Sequence, residues 1–279
     1  MTAVPSFAAY VVIGNPIAHS KSPDIHARFA AATGQDMRYA RLLAPLDGFV
    51  ATVREFVAQG GRDANVTVPF KLEAYALASK LTARAQAAGA VNTLKFDGDE
   101  ILGDNTDGVG LVNDIVLNAG VDLSHKKILL LGAGGAARGV LLPLLECRPA
   151  QLTIANRTAA KALELVQQFQ QYNGGDCALS ACGFADVQEQ YDLVINATSA
   201  SLQAELPPIA ASVFGPATLA YDMMYGAQPT VFMQFAATHG AQVRDGLGML
   251  VEQAAEAFFV WRGVRPHTDE VFAALRAQL

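Results

Sequence analysis

Lys127-Ile-Leu-Leu-Leu-Gly132-Ala-Gly134-Gly-Ala-Ala137 is the stretch on which the fold turns. A short apolar run that stops at glycine reads as a buried strand, and the residues from Ala136 onward read as the opening of a helix. Alone, these glycines could make a plain strand-to-helix turn. Between a buried strand and a helix, however, they match the G-x-G-x-x-G/A fingerprint, in which glycine lets the backbone turn tightly and approach a pyrophosphate. The helix N-terminus then supplies N–H groups to the phosphate charge. Gly132, Ala133, Gly134, Gly135 and Ala136 are therefore candidate dinucleotide contacts.

The following strand bears on which dinucleotide is bound. An enzyme that uses NAD carries an acidic residue about 20 residues on, bonded to the ribose 2′-hydroxyl. Here that strand ends in Asn156-Arg157-Thr158, with Lys161 one turn into the next helix. A guanidinium binds a 2′-phosphate through forked charge-assisted bonds, whereas a carboxylate repels it. NADP is the expected cofactor, against the alternative that Arg157 is a solvated surface charge.

Outward from this stretch, strands are expected at 151–155, 191–197, 218–222 and 242–244, with a helix over 158–171, which gives a doubly wound Rossmann-type sheet. Upstream, strands near 10–14, 37–44, 64–68 and 91–96 alternate with helices over 23–33 and 47–59, the βαβα pattern of a parallel sheet. A turn at 97–99 precedes a helix over 106–118, and the chain closes in helices at 249–263 and 268–279. The reading is an α/β protein of two domains. An N-terminal α/β substrate domain, 1–101, is joined by the C-terminal helices 247–279, and a Rossmann-type NADP domain covers 102–246.

Composition narrows the function. A length of 279 residues suits two cores with a cleft between them, and 52% apolar with 16% charged residues is the balance of a packed globular chain. A net charge of -6 argues against nucleic acid and for a small-molecule substrate. Three cysteines without Cys-x-x-Cys spacing read as reduced thiols. With no basic leader and no apolar run of membrane-spanning length, the expectation is a cytoplasmic protein with no membrane partner. The five histidines show no metal-ligand spacing, so no metal is expected.

In the N-terminal half, polar residues gather after apolar strands, where function sits on a rigid scaffold. Ser20 and Ser22 flank Lys21 just before Pro23, a candidate first helical residue, and could donate to a carboxylate or simply cap the helix. In Asn65-Val-Thr67-Val-Pro69-Phe-Lys71, alternation puts Asn65 and Thr67 on one face of a strand that Pro69 ends, and Lys71 then starts a helix. Asn92 and Asp107 add further polar groups, with helix capping as the other reading of Asp107.

Taken together these segments resemble the shikimate dehydrogenase family over nearly the whole chain. Gly14-Asn-Pro-Ile-Ala-His-Ser-Lys-Ser-Pro23, Asn65-Val-Thr-Val-Pro-Phe-Lys71, Gly89-Ala-Val-Asn-Thr93, Asn105-Thr-Asp-Gly108, Gly132-Ala-Gly-Gly-Ala136, Asn156-Arg-Thr158, Asn196-Ala-Thr-Ser199, Tyr221-Asp-Met223 and Gly246-Leu-Gly-Met-Leu250 with Gln253 follow the family order. The resemblance implies an NADP-dependent oxidoreductase that reversibly reduces 3-dehydroshikimate to shikimate, a step of aromatic amino-acid biosynthesis. It implies that Ser20 and Ser22 hold the substrate carboxylate, that Asn65, Thr67, Asn92, Tyr225 and Gln253 line the ring's hydroxyl side with Asp107, and that Lys71 and Asp107 form the catalytic pair. Asn156, Arg157, Thr158 and Lys161 would surround the 2′-phosphate, with Met223 and Gly246 by the nicotinamide and Thr198 among the cofactor contacts. Such a chain is expected as a monomer or homodimer.

This agrees with the chemistry, since a ring ketone reduced by hydride needs a proton for the developing alkoxide, which an oriented Lys71 can give. Two positions depart from the family. After Asn196-Ala-Thr-Ser199 the family usually has a glycine one residue further on, where this chain has Ser201 after Ala200, and Lys161 stands where Arg is frequent. The nearest alternative is a quinate or dual quinate/shikimate dehydrogenase. From another class, a non-catalytic NADP-binding sensor would have no reason to keep Lys71 with Asp107.

Overall fold

The computed structural model describes residues 9–279, so the first eight residues of the leader reading lie outside the described residues. By their packing the residues form two units. The first runs to Gly110 and takes in Val251–Ala274, and the second comprises Leu111–Leu250 and Leu275–Leu279.

In the first unit the elements are β1 (Ala9–Gly14), α1 (Ser22–Thr33), β2 (Arg38–Leu43), α2 (Phe49–Ala58), β3 (Gly61–Val66), α3 (Lys71–Leu77), β4 (Lys80–Leu81), α4 (Ala83–Ala88), β5 (Thr93–Asp97) and β6 (Glu100–Asp104). They build one sheet in the order β2-β1-β3-β5-β6-β4. β1 pairs in parallel with β2 and β3, yet β5 is antiparallel to both β3 and β6, so this sheet is mixed rather than parallel throughout. Buried Val11, Ile13, Phe49, Val53, Phe56, Phe70 and Leu94 form its core against the helices.

The antiparallel strand corrects the sequence reading. That reading takes residues 97–99 as a turn that leads to the helix at 106–118, but Asp97 faces Glu100 and the chain doubles back first as β6, paired to β5 as far as Thr93 and Asp104. A boundary at 101/102 therefore cuts a strand. The run Glu100-Ile-Leu-Gly-Asp104 is too short and too polar to register as a strand on periodicity.

α5 (Asp107–Asn113) continues into a π-helical turn over Asp114–Asn118. The second unit then winds through β7 (Lys127–Leu131), α6 (Gly135–Glu146), β8 (Gln151–Asn156), α7 (Ala159–Phe169), β9 (Ala178–Gly183), β10 (Leu193–Asn196), β11 (Leu219–Asp222), α8 (Val231–Thr238) and β12 (Gln242–Asp245). The order β12-β11-β10-β7-β8-β9 is parallel at every pairing. Central β7 is fully buried from Ile128 to Leu131, which is why it reads as a continuous apolar run rather than an alternation. Edge strand β9, Ala-Leu-Ser-Ala-Cys-Gly, is built from small residues and gives no such signal.

The chain ends in α9 (Leu247–Arg262) and α10 (Asp269–Arg276). From Val251 onward α9 belongs to the first unit. There Trp261 Nε1 donates to the Leu94 carbonyl of β5 at 3.1 Å, and Arg84 Nη1 donates to Glu256 Oε1 at 2.9 Å. Among the described residues no helix is long and apolar enough to cross a membrane.

Candidate active site

Within the first unit, several residues singled out above meet in one hydrogen-bonded network. Lys71, the first residue of α3, donates from Nζ to Asp107 Oδ2 at 2.6 Å. Asp107, the first residue of α5, takes a second bond on Oδ1 from Asn92 Nδ2 at 2.8 Å. Both carboxylate oxygens are thus engaged, while Lys71 and Asp107 remain 29% and 21% exposed, enough to meet a ligand. An ion pair at this depth is stronger than a surface pair and screened less by salt.

Asn92 is buried, and its polarity is set by its neighbours. Oδ1 accepts from the Thr106 amide at 3.0 Å and from Thr93 Oγ1 at 2.8 Å, which leaves Nδ2 facing Asp107. Asn65 donates to the Asn92 carbonyl at 3.2 Å and to Thr93 Oγ1 at 3.1 Å, while its Oδ1 accepts from Tyr39 Oη at 2.7 Å. Asn65 therefore has both amide protons committed and one acceptor lone pair to spare. Thr106 Oγ1 also lies 3.4 Å from Gln253 Oε1, which brings the second turn of α9 to the residue next to Asp107.

The segment bearing Asp107 is held by a partly buried ion pair. Arg84 grips Asp104 with Nε at 2.7 Å and Nη2 at 2.6 Å, and Thr82 adds a bond to Asp104 at 2.6 Å. Burial alone would push the Asp104 carboxyl up, but Arg84 and Thr82 hold it below the usual carboxylate range. Asn105 turns its amide to the Ala90 carbonyl at 3.0 Å and accepts the Asp107 N–H at 3.1 Å, so Asn105 caps α5 and the Asp107 side chain is left for the site.

α1 begins at Ser22, one residue before the expected Pro23. Ser20 Oγ accepts the Ser22 amide at 3.3 Å and donates to Ser22 Oγ at 3.2 Å, so two hydroxyls stand together at a helix start. Arg41 donates to the Ser20 carbonyl from Nε at 3.0 Å and fixes that loop. Thr67 lies one residue beyond β3, its amide bonded to the Ile13 carbonyl at 2.9 Å. Tyr225 belongs to the second unit, in the loop after β11, where burial and then Asp245 push its phenol up.

Sequence reasoning missed Tyr39, Thr93, Thr106 and His26. His26, four residues after Ser22 on α1, is fully buried, stacked on Tyr39 with ring centroids 4.2 Å apart and flanked by Trp261 at 5.3 Å. Neither of its ring nitrogens has a hydrogen-bond partner among the described residues. Burial lowers its pKa to about 3, and the weaker upward pull of the nearby Asn65 amide does not offset it.

In the second unit the glycine loop has the form that a dinucleotide needs. Gly132 sits at φ 108°, and a Cβ there would lie 3.2 Å from the Ala197 carbonyl oxygen. Gly134 is the N-cap of α6 and provides no side-chain cap, so the first amides of a 12-residue helix are uncapped. A Cβ on Gly134 or Gly135 would meet nothing within 4 Å, which leaves room for a pyrophosphate. At the end of β8, Arg157, Thr158 and Lys161 are exposed, and Asn156 Nδ2 donates to the Thr158 carbonyl at 3.0 Å, shaping the turn. Two exposed cations, Arg157 and Lys161, at this edge fit a 2′-phosphate. Gly246 is packed so closely that a Cβ would come within 2.1 Å of the Met223 carbonyl oxygen. Thr198 and Met223 lie in the loops after β10 and β11. No group of three or more His, Cys, Asp or Glu among the described residues could hold a metal ion.

Three family models match in chain order: the shikimate dehydrogenase substrate binding domain over residues 12–94, shikimate / quinate 5-dehydrogenase over 114–204, and the shikimate 5'-dehydrogenase C-terminal domain over 246–276. A shikimate dehydrogenase (NADP(+)) of Herminiimonas arsenicoxydans is 70% identical, with 97% of each chain covered. Among solved structures, an Ael1 enzyme from Pseudomonas putida superposes with a TM-score of 0.91 at 48% identity, covering 96% of this chain and 97% of that one. The shikimate 5-dehydrogenase of Thermus thermophilus, solved with NADP(H) and shikimate, gives a TM-score of 0.85 at 31% identity over 98% of this chain and all of its own.

Proposed function

Because this chain belongs to the shikimate dehydrogenase family, we propose that it catalyses the reversible reduction of 3-dehydroshikimate to shikimate with NADPH. The observation that carries this reading is the Lys71–Asp107 pair at 2.6 Å, partly exposed and backed by Asn92 on the other carboxylate oxygen. A sensor that only bound NADP would have no use for an ammonium held in this way.

When bound, NADPH supplies a hydride to the ring ketone. Lys71 then gives the proton from Nζ to the developing alkoxide, and its ammonium stabilises the negative charge as it grows there. Asp107, fixed by Asn92 and by the Asn105 cap, aims that ammonium. Ser20 and Ser22 turn their hydroxyls to the substrate carboxylate, Thr67, Tyr225 and Gln253 read the ring hydroxyls, and Asn92 lines that side by holding Asp107 in place. Asn65 acts chiefly by fixing Asn92, with its spare lone pair toward the substrate. The amides of Gly132, Ala133, Gly134, Gly135 and Ala136 take the pyrophosphate. Asn156, Arg157, Thr158 and Lys161 take the 2′-phosphate, and Thr198, Met223 and Gly246 line the nicotinamide end.

We place the activity in the cytoplasm, where the free thiols of Cys147, Cys177 and Cys182 would stay reduced, and in a monomer or homodimer. Steady-state assays of shikimate and quinate, each with NADP+ and NAD+, test the reading. We expect the highest kcat/KM for shikimate with NADP+, and a preference for quinate or for NAD+ would overturn it.

A further inference from the structure

Ser201 lies in the short 3-10 turn Ala200–Gln203 that follows β10, and its surroundings give it a task. Ser201 Oγ donates to Asp222 Oδ2 at 2.6 Å and accepts from Asn196 Nδ2 at 3.0 Å. Asp222 is fully buried and has no cation within ion-pair distance among the described residues, so hydroxyls and amides must satisfy its charge. Thr230 Oγ1 donates to the same Oδ2 at 2.7 Å, Asn196 Nδ2 lies 3.3 Å from it, and the Met224 amide donates to Oδ1 at 3.0 Å.

These bonds cross between two loops that leave the carboxyl ends of neighbouring parallel strands, β10 and β11. In a doubly wound sheet such ends face the bound ligand. The β10 loop bears Thr198, whose hydroxyl donates to Asn196 Oδ1 at 2.7 Å and accepts the Ala200 amide at 3.2 Å. The β11 loop bears Met223, whose own amide is bonded to the Asn196 carbonyl at 3.1 Å. The left-handed residue of this segment is Ala204, at φ 53°, and Ser201 is not among the positive-φ residues, so the backbone asks for no glycine at 201.

From this geometry, and resting on the NADP reading above, we infer that Ser201 is a positioning residue for the cofactor. Its hydroxyl ties the Thr198 loop to Asp222 and so fixes Thr198 and Met223 relative to each other at the nicotinamide end. Arg157 and Lys161, beyond β8, do not take part in this tie. Loss of the hydroxyl should therefore weaken binding of the whole dinucleotide and leave binding of its adenosine 2′-phosphate half unchanged.

Isothermal titration of NADP+ and of 2′,5′-ADP into the wild type and into Ser201→Ala, Ser201→Gly and Ser201→Thr tests this. A lost bond to a carboxylate should raise the Kd for NADP+ about tenfold in the Ala and Gly variants. The Kd for 2′,5′-ADP should not move, and Ser201→Thr, which keeps a hydroxyl, should stay close to wild type. Unchanged NADP+ affinity in Ala and Gly overturns the inference. So does equal weakening of both ligands, which marks general disruption, or a Thr variant as weak as Ala. A wild type that binds neither ligand instead overturns the cofactor reading, so the two failures are distinguishable.

Discussion

The site of the first unit and the glycine loop of the second satisfy their polar groups in opposite ways. Around Lys71, Asp107 and Asn92 each side chain is bonded to another side chain, so the arrangement exists before any ligand arrives. Around Gly134 the donors are backbone amides at an uncapped helix end, and Arg157 and Lys161 make no side-chain bond among the described residues. One site is preorganised by its own contacts and needs little reorganisation at the moment of reaction. The other is shaped by backbone and completed by what it binds.

The contrast is broken most severely by removing the preorganised proton donor. Lys71→Ala should lower kcat by about 10² to 10⁴, the usual share of general acid catalysis, with a much smaller change in KM, because the contact strengthens as the alkoxide forms. Asp107→Asn should also lower kcat, since Asn cannot hold the ammonium as a carboxylate does. The double variant should be far less impaired than the product of the single effects, because the pair works as one unit. Steady-state kinetics of the four proteins decide it: a rise in KM alone for Lys71→Ala would make Lys71 a binding residue.

The same contrast explains what was legible in the sequence. The glycine loop was readable because its function lies in the backbone, and backbone demands select particular residues at fixed spacing. The strands around it were readable too, since β7 is buried on both faces. The pairing of Lys71 with Asp107 came only through family resemblance, because 36 residues separate them and no local rule joins α3 to α5. Tyr39, Thr93 and Thr106 were invisible for the same reason, since each has its role through a bond to a residue distant in the chain. β6 was missed because a five-residue strand with Gly103 and two acids has no periodicity to detect.

On the ligand-completed side, Arg157→Ala should weaken NADP+ binding by about 1.5 to 3 kcal/mol, the typical contribution of charge-assisted bonds. NAD+ should bind nearly as before, because the removed guanidinium would pair with a phosphate that NAD+ lacks. Lys161→Ala should have a smaller effect of the same kind, an ammonium being a point charge rather than a fork. Titration with both dinucleotides checks this. Equal losses for NADP+ and NAD+ would mean that Arg157 supports the loop rather than the phosphate.

His26 tests the comparison from the other side, as an unsatisfied group inside the well-bonded unit. Exposed donors without partners are served by water, but both His26 nitrogens are buried among rings with no hydrogen bond to the described residues. With its pKa lowered to about 3, the folded protein keeps this imidazole neutral, whereas the unfolded chain takes up a proton below pH about 6.5. Stability from this group is fully present above that pH and is lost as the pH falls toward 3, at about 1.4 kcal/mol per pH unit over most of the window. Phe at this position fits an aromatic setting and does not titrate. Urea unfolding at pH 7.5 and 5.5 should therefore show a smaller acid loss for His26→Phe than for wild type, by about 1.4 kcal/mol. Equal acid losses in the two proteins would mean that His26 finds a partner or protonates in the folded state.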